Sequence, residues 1–391
     1  MRRIVYFNYM NDLYGSSLGS TVKAIKLIGG LKSVNWTVYM EWRRQGVKEP
    51  GAAPRSKSRL KSWLRILLFT PKELVQNVVD FYRELKIVDQ HKPDLVIARL
   101  DAFRISALWV AAYRKIPLIV EADGANSFEW IHYHGGAHLW KCVLLACEKL
   151  MLRRADGAFT QSAIARDYLH QTHRLQKKCR VITNGADLPN PNADKSAELR
   201  RKLGIHHEDV VIGFLGTMHH WHGLQAIGTL FTELLRQNHR LKLMFVGAGG
   251  AQEQSLINTF EESYRQRVVF TGFIPLEQVG DYISLFTIAI APYPNMPLFY
   301  FSPVKVFDYM AAGKAIVAAD IGQIAQILHH GVSALLYQPD DLVDLADCIK
   351  RLADDVDLRN KLGKNALADF KKQHTWRHKV LELDRFLHDF I

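Results

Sequence analysis

Short apolar runs rich in valine and isoleucine alternate with longer stretches of helical periodicity along almost the whole chain, and the pattern occurs twice. In the first half, residues 4–8, 36–40, 94–98, 118–121, 158–160 and 181–183 read as strands, with helical spacing over 20–31, 71–90, 104–114 and 139–154. In the second half, strands are predicted at 211–215, 243–246, 268–270, 288–291, 315–318 and 334–337, and helices again lie between them. Strands that are apolar on both faces and joined through helices belong to parallel sheets covered on both sides. Asn184, Gly185 and the LPNPNAD run interrupt the pattern and read as a linker. The expected fold class is therefore α/β, with two Rossmann-like, doubly wound parallel-sheet domains over residues 1–185 and 186–375. Its 391 residues suit two domains of ordinary size. A last helical stretch, 376–391, is expected to pack back on the first domain. Ligands of such sheets bind beyond the carboxyl ends of the strands, which places the expected site in a central cleft that the two domains face.

The richest local signal is 302–320, SPVKVFDYMAAGKAIVAAD. Ser302 reads as an N-cap and Pro303 as a first helical residue. Val304, Phe307, Met310 and Ala311 recur at helical spacing, and Gly313 ends the helix. The free N–H groups of such a first turn suit a phosphate. Asp308, further along, can reach a ribose diol. Phosphate donors and a hydroxyl acceptor about one turn apart point to a nucleotide-sugar pocket. Lys305 in the first turn opposes the helix dipole, and a diphosphate supplies the reason for it; a solvated surface lysine is the plainer reading.

Apolar residues make up 48% of the chain, and its longest apolar runs, such as 63–69 and 315–319, are far too short to cross a bilayer. The opening MRRIVYFNYMND is broken by Asn8, Asn11 and Asp12, and reads as a first strand, not a signal peptide. A cytoplasmic protein is expected. Cys142, Cys147, Cys179 and Cys348 form no CxxC pair and read as reduced and structural. Charge is uneven: residues 1–185 carry 30 Lys and Arg against 15 Asp and Glu, whereas the remainder carries 21 against 24. Only the first half is built for an anionic partner. The segment 43–69 concentrates that charge, with Arg43, Arg44, Lys48, Arg55, Lys57, Arg59, Lys61 and Arg65 against Glu49, beside Trp63, Leu64, Ile66, Leu67, Leu68 and Phe69. This mixture suits an anionic membrane surface; a solvated loop leading into a core helix is the alternative. No nucleic-acid-binding motif accompanies it, so nucleic acid is not expected as a partner.

Several stretches together resemble the retaining glycosyltransferases of family 4, with the two-domain GT-B fold. SPVKVFDYMAAGKAIVAADIGQIAQILHHGVSALLYQPDD is similar to the family's donor-site stretch, and GFLGTMHHWHG to the glycine loop after the first strand of the second domain. FVGAGG and FTGFIP resemble the loops around the nucleotide base, and IPLIVEADGAN, CEKLMLRRADGAFTQSAIARDYL and VITNGAD the end of the first domain. The resemblance implies transfer of a sugar from a UDP- or GDP-sugar to a hydroxyl of a lipid-linked glycan, with the nucleoside diphosphate sugar as co-substrate and no required cofactor or metal. It implies donor contacts from Gly216, His219, Gly247, Phe273, Ser302, Pro303, Val304 and Asp308. The chain has Asp308 where the family usually has Glu, and Tyr300 where many members have a second Glu. The loop from Thr217 to His222 holds no Arg or Lys, so His219, His220 or His222 would meet the diphosphate.

Other candidates come from position. Gly213, Gly216 and Gly223 follow a strand and precede a helix, which suits close approach to a diphosphate or simply a tight turn. Gly15 and Ser16 follow the first strand and open a helix, where they could contact the donor phosphate or the acceptor; a turn with an N-cap serine is the alternative reading. Glu121, Asp123 and Asn126 sit at a strand's carboxyl end, where they could orient the acceptor; Asp123 reads as a base or a hydrogen-bond partner, against a reading of all three as loop caps. Lys305, His222 and Asp123 are the expected catalytic groups. His132 and His134 lack the carboxylate partner of a metal site. Two rival readings are an epimerase on the same scaffold and a non-catalytic subunit that binds a sugar nucleotide. The expected location is peripheral, at the inner face of a membrane.

Overall fold

The computed structural model describes all residues except 10–17, 43–58, 125, 133–139, 176–177, 188–190, 219 and 248–250; for 18, 59–70, 130, 220, 225–226 and 251–252 it describes the backbone without the side chains. The chain divides into two compact units: an N-terminal unit of 1–183 and 376–391, and a C-terminal unit of 184–375.

The strands of the N-terminal unit are β1 (Arg2–Asn8), β2 (Trp36–Trp42), β3 (Leu95–Arg99), β4 (Leu118–Glu121), β5 (Gly157–Thr160) and β6 (Lys178–Val181). They form one six-stranded sheet in the order β2-β1-β3-β4-β5-β6, with every pair parallel. Alternate residues of β1 serve opposite cores: Ile4 and Tyr6 join one, Val5 and Phe7 the other. That two-sided burial is why these strands read as continuous apolar runs. The helix Trp376–Leu387 belongs to this unit, where Trp376, Val380, Leu383 and Phe386 pack with Trp36 and Ile4. Trp36 Nε1 donates to Asp384 Oδ1 at 2.6 Å. A Cβ on Gly30 would meet Val380 Cγ2 at 2.6 Å, so only glycine lets that helix lie so close.

The C-terminal unit contains β7 (Val210–Leu215), β8 (Leu241–Val246), β9 (Val268–Phe270), β10 (Ile288–Ala291), β11 (Ala315–Ala319) and β12 (Leu335–Tyr337). Their order is β12-β11-β10-β7-β8-β9, again all parallel. Strand order reverses between β7 and β10, the place where doubly wound sheets bind ligands. In the N-terminal unit the reversal falls between β1 and β3.

The structure differs from the sequence reading at two elements in particular. β6 runs over Lys178–Val181, not 181–183, because it is an edge strand paired only with β5. Backbone pairing sets its register, while its apolar residues are half-exposed. The helix expected from Pro71 begins at Arg59 and runs to His91, with Pro71 in its interior; a proline can be carried there at the loss of one backbone hydrogen bond. Residues 43–58 of the basic segment lie outside the described residues.

Candidate functional site

The candidate site of the C-terminal unit lies at the β7/β10 reversal. The helix Val304–Ala311 starts one residue later than the sequence suggests: Pro303 occupies the N-cap with no side-chain cap, and Val304 is the first helical residue. Proline has no N–H, so Pro303 cannot donate to a phosphate; Val304 and Lys305 bring the first amides. Ser302 is a correction as well. Its hydroxyl accepts from the Asn184 amide at 3.0 Å and its carbonyl accepts from Asn184 Nδ2 at 2.6 Å, so it ties the helix start to the chain entering this unit.

Lys305 is the central feature. It is buried, and its ammonium has no hydrogen-bond partner among the described residues. Nζ lies 3.9 Å from the centroid of Phe214, at the end of β7, and 5.4 Å from that of Tyr293, just after β10. Burial pushes its pKa well below the ordinary lysine value. An uncompensated buried cation is costly, and cation–π contact repays only part of that. Gly216, immediately after β7, has φ +130°, and a Cβ there would come within 3.2 Å of the Lys305 Nζ. A Cβ on Gly247, after β8, would meet the Gly216 carbonyl oxygen at 2.4 Å. The two glycines keep this strand-end surface bare backbone. Gly223 also has its reason, since a Cβ would strike the Pro292 carbonyl at 2.4 Å. Gly213 does not belong with them: it lies inside β7, under the Phe286 ring, where a Cβ would meet ring carbons at 2.1 Å.

His222 shares the rings around Lys305, with its own ring centroid 5.5 Å from Phe214 and 5.5 Å from Tyr293. Its Nδ1 hydrogen-bonds the Thr217 carbonyl, fixing the ring within the loop. Val304 and Asp308 occupy the partly accessible side of their helix at i, i+4 spacing, while Lys305, Val306, Phe307, Tyr309 and Met310 are buried. Burial raises the Asp308 carboxyl to about 7. Phe273, one residue after Gly272 (φ +66°), leaves its ring largely exposed. His219 lies outside the described residues, as do Gly15 and Ser16.

The N-terminal unit carries a second cluster at its own reversal. Asp123 pairs with Lys23 and, at 2.9 Å, with Arg99. Glu121 lies 3.3 Å from Lys23 and 3.8 Å from Arg99, and accepts a hydrogen bond from the Tyr6 hydroxyl. Asn8 Nδ2 donates to the Tyr6 oxygen at 3.0 Å. Burial works to raise the Asp123 pKa, but Lys23 and then Arg99 outweigh it and hold the carboxyl below its ordinary range. A carboxylate so paired is a poor proton acceptor, which corrects the reading of Asp123 as a base. Glu121 is wholly buried against Tyr6 and the same two cations. Asn126 donates to the Leu100 carbonyl at 2.6 Å, linking the loops after β3 and β4. The ring of His132 stacks on Phe128, and no group of three metal-ligating side chains occurs among the described residues.

Sequence reasoning missed Phe214, Tyr293, Lys23 and Arg99. A basic residue closing the apolar run LVIAR was the available signal for Arg99. The others are brought in by topology.

Comparison with known proteins fits this geometry. Residues 28–189 match the glycosyltransferase family 4 model, and residues 209–355 match that of glycosyl transferases group 1. An alpha-D-kanosaminyltransferase of Streptomyces kanamyceticus is 25% identical over 225 residues, covering 56% of this chain and 56% of the relative. The alpha-monoglucosyldiacylglycerol synthase of Streptococcus pneumoniae is 22% identical, covering 69% of this chain and 61% of the relative. The matches thus span about half to six-tenths of the relatives' length. Among solved structures, sucrose-phosphate synthase from Thermosynechococcus elongatus superposes with TM-score 0.73 at 19% identity, covering 100% of this chain and 99% of the other. Anabaena HepE in complex with UDP-glucose gives 0.68 at 17%, with both chains covered completely. With two Rossmann-like units, a matching family model in each, and GT-B neighbours along its full length, the chain belongs to the family 4, group 1 glycosyltransferases of the GT-B fold.

Proposed function

We propose that this protein is a retaining glycosyltransferase. It moves a sugar from a UDP- or GDP-sugar to a hydroxyl of a lipid-linked glycan in polysaccharide or glycoconjugate assembly, at the inner face of a membrane. The observation that carries the reading is the unpartnered Lys305 ammonium, held beside bare glycine backbone at the β7/β10 reversal. That arrangement lacks one thing, an anion. A nucleoside diphosphate brings it, and the charge that builds on the leaving diphosphate as the anomeric C–O bond breaks falls on the same spot. Lys305, the Val304 and Lys305 amides and the Gly216 backbone would stabilise it without reorganising, which is how preorganised donors lower a barrier.

Asp308, accessible one turn from Val304, would accept hydrogen bonds from the ribose diol. Phe273 would stack on the base. His222 would brace Lys305 through their shared rings and line the diphosphate pocket beside Gly247. Charge neutralisation by Lys305 and backbone amides makes a divalent ion unnecessary in this scheme. On the acceptor side, the Asp123–Arg99 pair would orient the incoming hydroxyl as a hydrogen-bonding platform. The activities named for the relatives, kanosaminyl transfer and synthesis of a monoglucosyldiacylglycerol, support sugar transfer.

Transfer of labelled sugar from UDP-glucose or GDP-mannose into a membrane lipid extract tests the reading. Asp308→Ala is expected to lower transfer by roughly ten- to a hundredfold, the worth of hydrogen bonds to a charged group. Unchanged transfer would place the donor elsewhere. The anomeric configuration of the product, read by NMR, decides retention.

A further inference from the structure

The long helix Arg59–His91 is inside-out. Toward the N-terminal unit it presents Glu73, Asn77, Asp80 and Glu84, all buried. Arg104 holds the first two of these carboxylates, with Nη2 2.6 Å from Glu73 and Nη1 on Asp80. Ser106 Oγ donates to Glu84 at 2.8 Å, and Asn77 Oδ1 accepts from the Ile105 and Ser106 amides at 2.7 and 3.1 Å. Toward solvent the helix presents Val75, Val78, Val79 and Tyr82, between 50% and 67% exposed. These four fall at i, i+3, i+4 and i+7, an arc of roughly 100° opposite the polar face. Phe81 bridges the stripe to the next helix, with ring centroids 6.5 Å from Trp109 and 6.3 Å from Tyr113, the latter 62% exposed. Three β-branched valines disfavour an exposed helical site, and a contiguous apolar patch on a surface marks an interaction.

The charges name the partner. The acidic residues of this helix between Glu73 and Glu84 point inward, while Lys72, Arg83 and Lys86 are exposed on its outer side, and Arg114 and Lys115 at the end of the neighbouring helix; exposed Asp89 pairs with Arg114 at 2.6 Å and Glu41 lies 3.7 Å from Arg83, so Lys72, Lys86 and Lys115 are the outer cations with no carboxylate beside them among the described residues. The outer charges are therefore mostly basic around an apolar stripe rimmed by Tyr82, Tyr113 and Trp109, which is the composition of a surface that settles into an anionic lipid interface. We propose that the face formed by Val75, Val78, Val79, Tyr82, Trp109 and Tyr113 docks this unit onto an anionic bilayer, aromatic rings at headgroup level and the lysines on lipid phosphates. This deepens the lipid-linked acceptor part of the proposed function, yet it concerns the surface of one unit and is read without turnover.

The test is co-sedimentation of the full chain with vesicles of phosphatidylcholine plus phosphatidylglycerol, against phosphatidylcholine alone. Binding is expected to the anionic vesicles and to fall with salt. The double variant Val75→Glu/Val79→Glu should weaken it roughly tenfold or more, and Lys72→Ala/Lys86→Ala should weaken it roughly tenfold or more on anionic vesicles alone. Nucleotide binding by calorimetry should stay unchanged in both variants, which separates failure of this proposal from failure of the donor site. Equal binding to both vesicle types, no binding, or binding indifferent to both variants would overturn the proposal. So would a change of oligomeric state in Val75→Glu/Val79→Glu without vesicle binding, which would make the face a protein interface.

Discussion

The Lys305 ammonium stands 3.9 Å from the Phe214 ring centroid, buried and with no hydrogen-bond partner among the described residues. Among the described residues no carboxylate or hydrogen-bond acceptor meets that cation, and burial pushes its pKa down. Its location at the strand-order reversal makes an anionic ligand the economical explanation.

Replacing that lysine should separate stability from function. Lys305→Met keeps the apolar stem against Phe214 and Tyr293 while removing the unpaired charge. Thermal unfolding of the ligand-free protein should show a gain of about 1–2 kcal/mol, and nucleotide stabilisation should vanish. A loss of stability instead would mean that the ammonium has a partner in the folded protein.

Protons should accompany the ligand. With its pKa depressed, Lys305 gives up its proton more readily than an ordinary lysine, and a diphosphate restores the ordinary preference. Calorimetry in buffers of different ionisation enthalpy should therefore show proton uptake on binding at mildly alkaline pH. Lys305→Met should abolish that uptake.

Asp308 makes the opposite limb. Its carboxyl is raised to about 7 by burial, so acceptance from a ribose diol should weaken as pH falls through about 7. The stability sign follows from the same shift. Between the ordinary carboxyl range, about 4, and about 7 the folded state holds the extra proton. The contribution to stability is full below about 4 and is lost as pH rises through about 7. Asp308→Asn should therefore stabilise the protein more at about pH 8 than at about pH 5, in paired urea titrations at the two pH values.

The Tyr6–Glu121–Lys23–Asp123–Arg99 cluster balances two cations against two carboxylates in a buried place. Lys23→Met leaves both carboxylates to Arg99 alone and should cost about 3–5 kcal/mol. Lys23→Met combined with Asp123→Asn should recover part of that, because one charge leaves each side. Strict additivity of the two substitutions in chemical denaturation would contradict the pairing.

Gly213 and Gly216 are three residues apart and should answer differently. Gly213→Ala drives a methyl into Phe286 and is expected to cost about 1–3 kcal/mol, with nucleotide affinity retained in whatever protein folds. Gly216→Ala strains a φ of +130° and crowds Lys305, so it should lower nucleotide affinity as well. Equal effects on affinity would remove the distinction between a packing glycine and a site glycine.

Much of this fold is legible in the chain because strands buried on both faces, such as Leu95–Arg99 and Ala315–Ala319, stand out as short Val, Ile and Ala runs. Edge strand β6 was misplaced because half-exposed strands carry no such run. The Val304–Ala311 helix is legible as local spacing to within one residue, since caps and turns act over a few residues. What Ser302 does was not visible, because its partner Asn184 lies 118 residues away. The same holds for Lys23 and Asp123, 100 residues apart and brought into contact only by the folded chain. The inside-out helix was hidden for a related reason: its polar face looks solvated until Arg104 is placed beneath it.

The most direct test is calorimetric titration of the purified protein with UDP and with GDP, alongside Lys305→Met and Asp308→Ala. The account predicts micromolar binding of one nucleotide, abolished by the first substitution and weakened by the second. Binding of neither nucleotide, or binding that both variants retain at full strength, would contradict a nucleotide-sugar site at the β7/β10 reversal.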